Sequence, residues 1–520
     1  MNNNAAAIFK SLIVYAVCVP LAVFVGYTLT NPLDYSTLGF YGIVIMLLLT
    51  PLLLRWHYPL LLLSWNLSVV VFFAPSKPPL WLPMVVISLG ISVLERVMSN
   101  DRHFIRVPQV TWPLLALAAV VYFTAELTGG LGVKALGSDV YGGKKYIYIF
   151  VGILSYFALS ARPIPLEKAR KYVALFFLGG LVMFIGDFAA IMPSALHFIY
   201  LVIPPGGFGL DEYGNQTLEF GETRMGGVAF SACSVVFWML ARYGLRGIFM
   251  SGKLWRPLVF MLSFGLIFLG GFRSTILLMA LIFVFQFFKE GLHRSRLLIP
   301  FLFVGVTAVA LLIPLARHLP WTVQRSLAFL PLDIDPTARG DAEGSSDWRL
   351  NIWKALLPQV PEHLLLGKGY AISTETFNEV MGGSTLDSSS FDAANNPLAL
   401  AGDYHSGPFS VVLVFGIWGT IAWLWFWWGS LRVLSANVKY GNPALRSINL
   451  LLYVAYIAKC IIFVFVFGAI QGDLGQFAGL VGLSVALNNG MCRPAPKTVQ
   501  VSPPVVAAKT FPMPRPAFQR

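Results

Sequence analysis

LIPFLFVGVTAVALLIPLA, residues 298–316, runs for nineteen positions without a charge, with Arg294 and Arg296 before it and Arg317 after it. A helix rises about 1.5 Å per residue, so this stretch is long enough to cross a hydrocarbon core about 30 Å thick. Inside lipid the backbone must satisfy its own polar groups, which makes the segment a transmembrane helix. Working outward from it, comparable segments lie at about 9–28, 37–54, 58–74, 79–95, 112–129, 145–161, 172–192, 226–242, 257–271, 275–289, 408–430, 448–470 and 476–489. The expected fold is an all-α polytopic membrane protein with about 14 spans. The range is 12–14, because 257–271 and 275–289 also read as one interrupted stretch and 476–489 is short. Composition excludes the soluble alternative. The 520 residues are 57% hydrophobic and only 12% charged, with mean hydropathy +0.71, against about 25% charged in a soluble domain.

The formal net charge of +13 resembles a nucleic-acid signal until the charges are placed. With the N-terminus inside and the spans alternating, 24 of the 37 Lys and Arg fall in inner loops and in the two cytoplasmic termini. Four carboxylates oppose them there, leaving +20 inside and −7 elsewhere. This is the positive-inside bias of a membrane protein, and it excludes a nucleic-acid partner. Cys18, Cys233 and Cys460 sit in apolar segments and Cys492 near the C-terminus, so no disulfide or zinc spacing is present. No small-residue cleavage site follows the first apolar run, which reads as a retained span.

Two outer loops are long, about 193–226 and 317–407. Loops of that length usually carry function. In the second, 346–360 has helical periodicity with Trp348, Ile352 and Leu356 on one face. Residues 373–392 are polar and irregular in pattern, and 493–520 read as a basic, Pro-rich, disordered tail. The chain divides into N-terminal helices and an outer loop (1–221), core helices with Arg224 and Arg273 (222–316), the large loop (317–407), C-terminal helices (408–490) and the tail (491–520).

Outer-side cations are few. Arg273 stands between two apolar segments in Gly270-Gly271-Phe272-Arg273-Ser274, where an arginine either snorkels to lipid headgroups or meets an anion. Arg224 lies at the mouth of a span, paired with Glu222 or open to a ligand. Arg349 is on the loop helix, on a solvated face or in a site. His405 precedes a span in Asp403-Tyr404-His405-Ser406-Gly407-Pro408, with Ser406 or Asp403 able to cap the helix and Pro408 suited to its first position. The positive end of the helix dipole favours a neutral imidazole there. Three arginines and a histidine converging on that side would bind phosphate oxygens and deprotonate a hydroxyl. Asp187 and Lys459 are ionisable residues inside spans, expected either to pair with each other or to line a water path.

These motifs carry a resemblance. Arg349-x-x-x-Trp353, Pro361, Leu365-Leu366-Gly367-Lys368-Gly369-Tyr370, then His405 and Gly416-Ile-Trp-Gly419 resemble the large periplasmic loop and following span of the O-antigen ligase and polysaccharide polymerase superfamily. Arg273-Ser274 occupies the place of its Ser-Arg element, and Arg224-x-Gly226 that of the Arg before a core span. The resemblance covers about 222–430. The family commonly has Asn after the His, where this chain has Ser406. Fourteen spans exceed the number usual for the ligases and lean towards a polymerase.

The resemblance implies a GT-C-like, inner-membrane glycosyltransferase with cytoplasmic termini, a periplasmic site and no metal or cofactor. Its donor would be an undecaprenyl-diphosphate-linked glycan and its acceptor another glycan or lipid A-core, in lipopolysaccharide or exopolysaccharide biosynthesis. Membrane lipids and a chain-length regulator are the further expected partners. His405 would be the general base, and Arg224, Arg273 and Arg349 would hold the diphosphate. Trp348 and Trp353 would offer faces to sugar rings or pack into the core. The competing classes are a transporter or flippase of lipid-linked oligosaccharide, centred on Asp187 and Lys459, and a non-catalytic assembly scaffold.

Overall fold

A computed structural model describes residues 15–16, 18–26, 30, 35–74, 76–99, 104–132, 138, 140–190, 192–204, 224–296, 298–375 and 402–494. Most of the loop 193–226, the polar stretch 373–392 and the tail 491–520 falls outside them. The described chain is almost entirely helical. Its helices are α1 Tyr35–Ser64, α2 Trp81–Met98, α3 Pro108–Thr128, α4 Gly143–Leu159, α5 Leu166–Leu178, α6 Met183–Ala190, α7 Gly226–Phe249, α8 Trp255–Leu266 and α9 Arg273–Lys289. They continue as α10 Leu298–Leu315, α11 Trp321–Ser326, α12 Pro336–Leu356, α13 Val360–His363, α14 Gly407–Tyr440, α15 Arg446–Phe465 and α16 Ile470–Asn488. Among the described residues nine helices are long and apolar enough to cross a membrane, and Trp255–Gly270 is a shorter apolar one. The chain is a multi-pass, all-α membrane protein.

Several expected boundaries move. The segments 37–54 and 58–74 are joined in α1, which contains Pro51 and Pro59 and ends at Ser64. Arg55-Trp56-His57 reads as a loop in sequence, but His57 and Tyr58 are buried. His57 Nδ1 bonds Ser88 Oγ at 2.8 Å, and Tyr58 donates to the Leu159 carbonyl at 2.7 Å. Arg55, counted above as an inner-loop cation, lies inside this helix. The ambiguous pair 257–271 and 275–289 is two helices, α8 and α9. Between them lie a 3-10 turn at Ile267–Gly270 and Gly271 in the left-handed conformation (φ 67°). The short last segment is a full 19-residue helix, α16. Gln471, Asp473 and Gln476 at its outer end hide that start from a hydropathy reading.

The core is centred on α16, which is the most deeply buried of the nine spans. With no hydrophobic drive between helices in lipid, close approach through small residues carries the packing. A Cβ at Gly479 would strike the Trp65 indole, one at Gly475 would touch Trp81 at 3.1 Å, and one at Gly482 would touch Leu159 at 3.0 Å. In contrast α10 has no buried residue, and Phe301 touches the bundle at Phe249, Phe283 and Phe287.

The two intramembrane ionisable residues do not pair with each other. Asp187 Oδ2 accepts from the Val228 amide at 2.9 Å, satisfying a free N–H in the first turn of α7. Lys459 bonds Asp473 Oδ1 at 3.2 Å and Gln476 Oε1 at 2.5 Å, while Asp473 Oδ2 accepts from the Ala469 amide at 3.0 Å. Each charge closes a helix end or an interhelical contact.

α14 is broken where the loop enters it. Gly416 takes φ 63°, ψ −158° inside the helix, a region essentially open only to glycine. The carbonyls and amides freed there are taken up by the segment after α13. Ile417 donates to the Leu364 carbonyl at 2.7 Å, Lys368 donates to Leu413 at 2.7 Å, and Gly369 donates to Val414 at 3.0 Å. The Leu-Gly-Lys-Gly motif is thus a structural plug that anchors the large loop to the span following it. A Cβ at Gly416 would lie 2.6 Å from the Leu364 oxygen. Gly416→Ala should lower stability by about 1–3 kcal/mol through the backbone alone and detach the plug. Thermal unfolding in detergent checks this, and an unchanged transition would show that the break carries no strain.

Candidate active site

The large loop builds the site on α12. Asp335 caps this helix, its carboxylate accepting from the Thr337 amide at 2.8 Å, and Pro336 occupies the first turn. The helix begins ten residues before the expected 346–360, because Gly340, Gly344 and two serines mask the propensity. Ala338, Ala342, Ile352 and Leu356 are buried. Trp348 and Trp353 pack partly buried against the same core. The neighbouring face of α12 meets residues from four other places in the chain.

Arg224, just before α7, reaches Asp341 on α12 with NH2 3.6 Å from Oδ2. Its expected partner Glu222 lies outside the described residues. Arg325 on α11 bonds the same Asp341 oxygen through Nε and donates from NH1 to the Gly271 carbonyl at 2.6 Å. Arg273, the first residue of α9, donates from NH2 to the Ala342 carbonyl at 2.8 Å and to Ser346 Oγ at 3.2 Å. Arg349, two turns further along α12, lies 5.8 Å from the centre of the Phe467 ring. Its Nε is buried and has no hydrogen-bond partner among the described residues.

The Asp341 carboxylate therefore pairs with the Arg224 and Arg325 guanidinium groups, and its charge also reaches Arg273. Burial, the nearby Arg325 charge and then Arg273 push the Arg224 guanidinium down to about 10, against the opposing pull of Asp341. Burial, with Arg273 and Arg325, likewise lowers that of Arg349. Among the described residues, Asp341 is the carboxylate in ion pairs with this cluster.

His405 closes the site on the other side of Phe467. Its ring stands edge-on between Trp348 and Phe467, with centroids 5.0 and 5.2 Å away. Its backbone is in the left-handed region, φ 49°, uncommon for a residue other than glycine and a mark of sites where surrounding packing holds strain. The hold is visible: Trp353 Nε1 donates to the Tyr404 carbonyl at 3.1 Å, and Tyr404 is buried. Nδ1 lies 3.3 Å from Asp403 Oδ1. Nδ1 also lies 3.3 Å from the Asp403 backbone carbonyl, and with two acceptors on that side Nδ1 carries the proton as donor while Nε2 is left as the acceptor. Burial works to raise the Asp403 carboxyl. The hydrogen bond from His405, followed by the His405 and Lys145 charges, outweighs burial and holds the group below the usual carboxylate range. The expected capping role differs: Ser406 stands at the N-cap of α14 but makes no side-chain cap, and Asp403 serves the histidine.

The structure thus brings Arg224, Arg273, Arg349 and His405 together. It adds four residues that the sequence reading did not select for the site: Arg325, Asp341, Asp403 and Phe467. Residues 258–424 match the family described as O-antigen ligase. The chain carries an O-antigen ligase domain. This domain belongs to the O-antigen ligase and polymerase superfamily and runs from α8 through the large loop to the middle of α14. It contains Arg273, Arg325, Asp341, Arg349, Asp403 and His405, whereas Arg224 approaches the ligase domain from outside the matched segment. No curated protein matches the chain.

Proposed function

We propose that the chain joins a polyprenyl-diphosphate-linked glycan to an acceptor hydroxyl on the periplasmic face of the inner membrane, as a polysaccharide polymerase or O-antigen ligase. The carrying observation is that Arg273, Arg325, Arg349 and the His405–Asp403 pair lie within the segment that matches that family, with Arg224 reaching Asp341 from outside it. In the proposed step His405 Nε2 takes the acceptor proton, and the acceptor oxygen attacks the anomeric carbon with inversion. The bond from that carbon to the diphosphate oxygen breaks, and its electron pair leaves with the diphosphate. Arg224, Arg273, Arg325 and Arg349 hold the leaving group and stabilise its growing charge. Asp403 stabilises the imidazolium formed. The positive-inside charge pattern supports the outward orientation of this end. The transporter reading loses its support, because Asp187 and Lys459 are both committed to structural contacts.

The test is a deletion strain examined for lipid-bound products. Single repeat units left on the acceptor lipid identify a polymerase. Polymerised chains retained on the carrier lipid identify a ligase. Unchanged surface polysaccharide in the deletion strain would overturn both readings.

A further inference from the structure

At the opposite end of α7 from Arg224 lies a shallow cleft of about 40 Å³ between α5, α7 and the start of α15. Arg170 of α5 and Arg242 of α7 stand on its rim, Trp238 and Ile448 form an apolar wall, and Ala444 and Ser447 line the third side. From Gly226 to Arg242 is about 24 Å along the helix, so the cleft sits near the opposite membrane boundary from the arginine cluster. Its framework is fixed. Ser447 Oγ donates to the Ala241 carbonyl at 2.7 Å, locking α15 to α7. The Arg242 guanidinium lies 5.8 Å from the Trp238 ring and 5.4 Å from Tyr243. Neither Arg170 nor Arg242 forms an ion pair among the described residues. Lys168, Lys171, Arg246 and Arg446 lie close to them in sequence at the same helix ends.

We infer that this cleft binds the phosphate of an anionic glycerophospholipid, independently of the reaction at the other end of the protein. The two arginines supply two forks on separate helices, a geometry suited to a phosphodiester. The apolar wall of Trp238 and Ile448 offers a surface for the start of an acyl chain, and basic pockets between spans attract anionic headgroups of the adjoining leaflet. A free phosphate shares the charge but cannot use the apolar wall.

The experiment is native mass spectrometry of the full chain in neutral detergent, titrated with phosphatidylglycerol, phosphatidylcholine or inorganic phosphate. The expected result is saturable binding of phosphatidylglycerol over phosphatidylcholine, with inorganic phosphate failing to compete at equal concentration. R170Q/R242Q should weaken phosphatidylglycerol binding about tenfold or more, and R170K/R242K should fall between that variant and the wild type, because it keeps the charge and loses both forks. Ala444→Trp, which fills the cleft without touching either charge, should also abolish the bound lipid and covers the case in which the double variant fails to fold. Equal binding of the two lipids by the unsubstituted protein, unchanged phosphatidylglycerol binding in Ala444→Trp, or equal competition by inorganic phosphate would each overturn the assignment.

Discussion

His405→Ala is expected to lower glycan transfer by about 10²–10⁴-fold, the usual contribution of a positioned general base, while the protein still inserts and purifies. The magnitude follows from the geometry. Only Nε2 is left to accept a proton, because Nδ1 faces Asp403 at 3.3 Å. Alanine tolerates the backbone at φ 49° poorly, so a loss in this variant alone mixes strain with chemistry. His405→Asn separates them, since asparagine accepts the left-handed region but is not a base. It should lose activity as fully as alanine and keep the wild-type unfolding temperature. Asp403→Asn should lower kcat and leave KM for the donor unchanged, because the carboxylate acts on the ring and not on the diphosphate. Measurable wild-type turnover of lipid-linked donor by His405→Asn would sink the general-base assignment.

The helical, membrane-spanning character was legible because hydropathy over some twenty residues is a property of the local chain, and the lipid makes helix the only local answer. What moved were the ends. Arg55-Trp56-His57 looks like a loop until tertiary partners bury it, and Gln471 and Asp473 look unlike a span until Lys459 pairs with the carboxylate. His405, Arg224 and Arg273 were legible because each is a charged or titratable group beside an apolar segment, and Arg349 because it lies on the periodic stretch of the loop. Arg325 was not, for Gln324-Arg325-Ser326 sits in an unremarkable polar turn of the loop. Only the fold of α11 against Gly271 brings it beneath α12. Asp341 was missed for a related reason: its helix starts in a Gly- and Ser-containing stretch with weak propensity. A counter-charge is defined by contact, and contact is not in the spacing.

Asp341 leads to the second large effect, because removing it should act in opposite directions on stability and on anion binding. Asp341 is shared by Arg224 and by Arg325, whose side chain is only 7% exposed. Losing one partner of a buried pair costs up to about 3–5 kcal/mol, and the partly exposed Asp341 side places the cost below that limit. Asp341→Asn should therefore lower the unfolding temperature of the protein without donor. The same variant removes the negative charge that pairs with Arg224 and Arg325, so an added diphosphate gains where the protein lost. Stabilisation by a ligand grows with its affinity as RT ln(1 + [L]/Kd). Inorganic diphosphate should raise the unfolding temperature of Asp341→Asn by more than it raises that of the wild type. Arg325→Ala should do the reverse: Asp341 keeps Arg224 at 3.6 Å, the Gly271 carbonyl loses its donor, and diphosphate protects less than in the wild type. Arg325→Lys should fall between, since a single ammonium cannot reproduce the fork that reaches both Asp341 and Gly271. If diphosphate shifts all four proteins equally, the cluster is a structural ion network, and the leaving group must be held elsewhere.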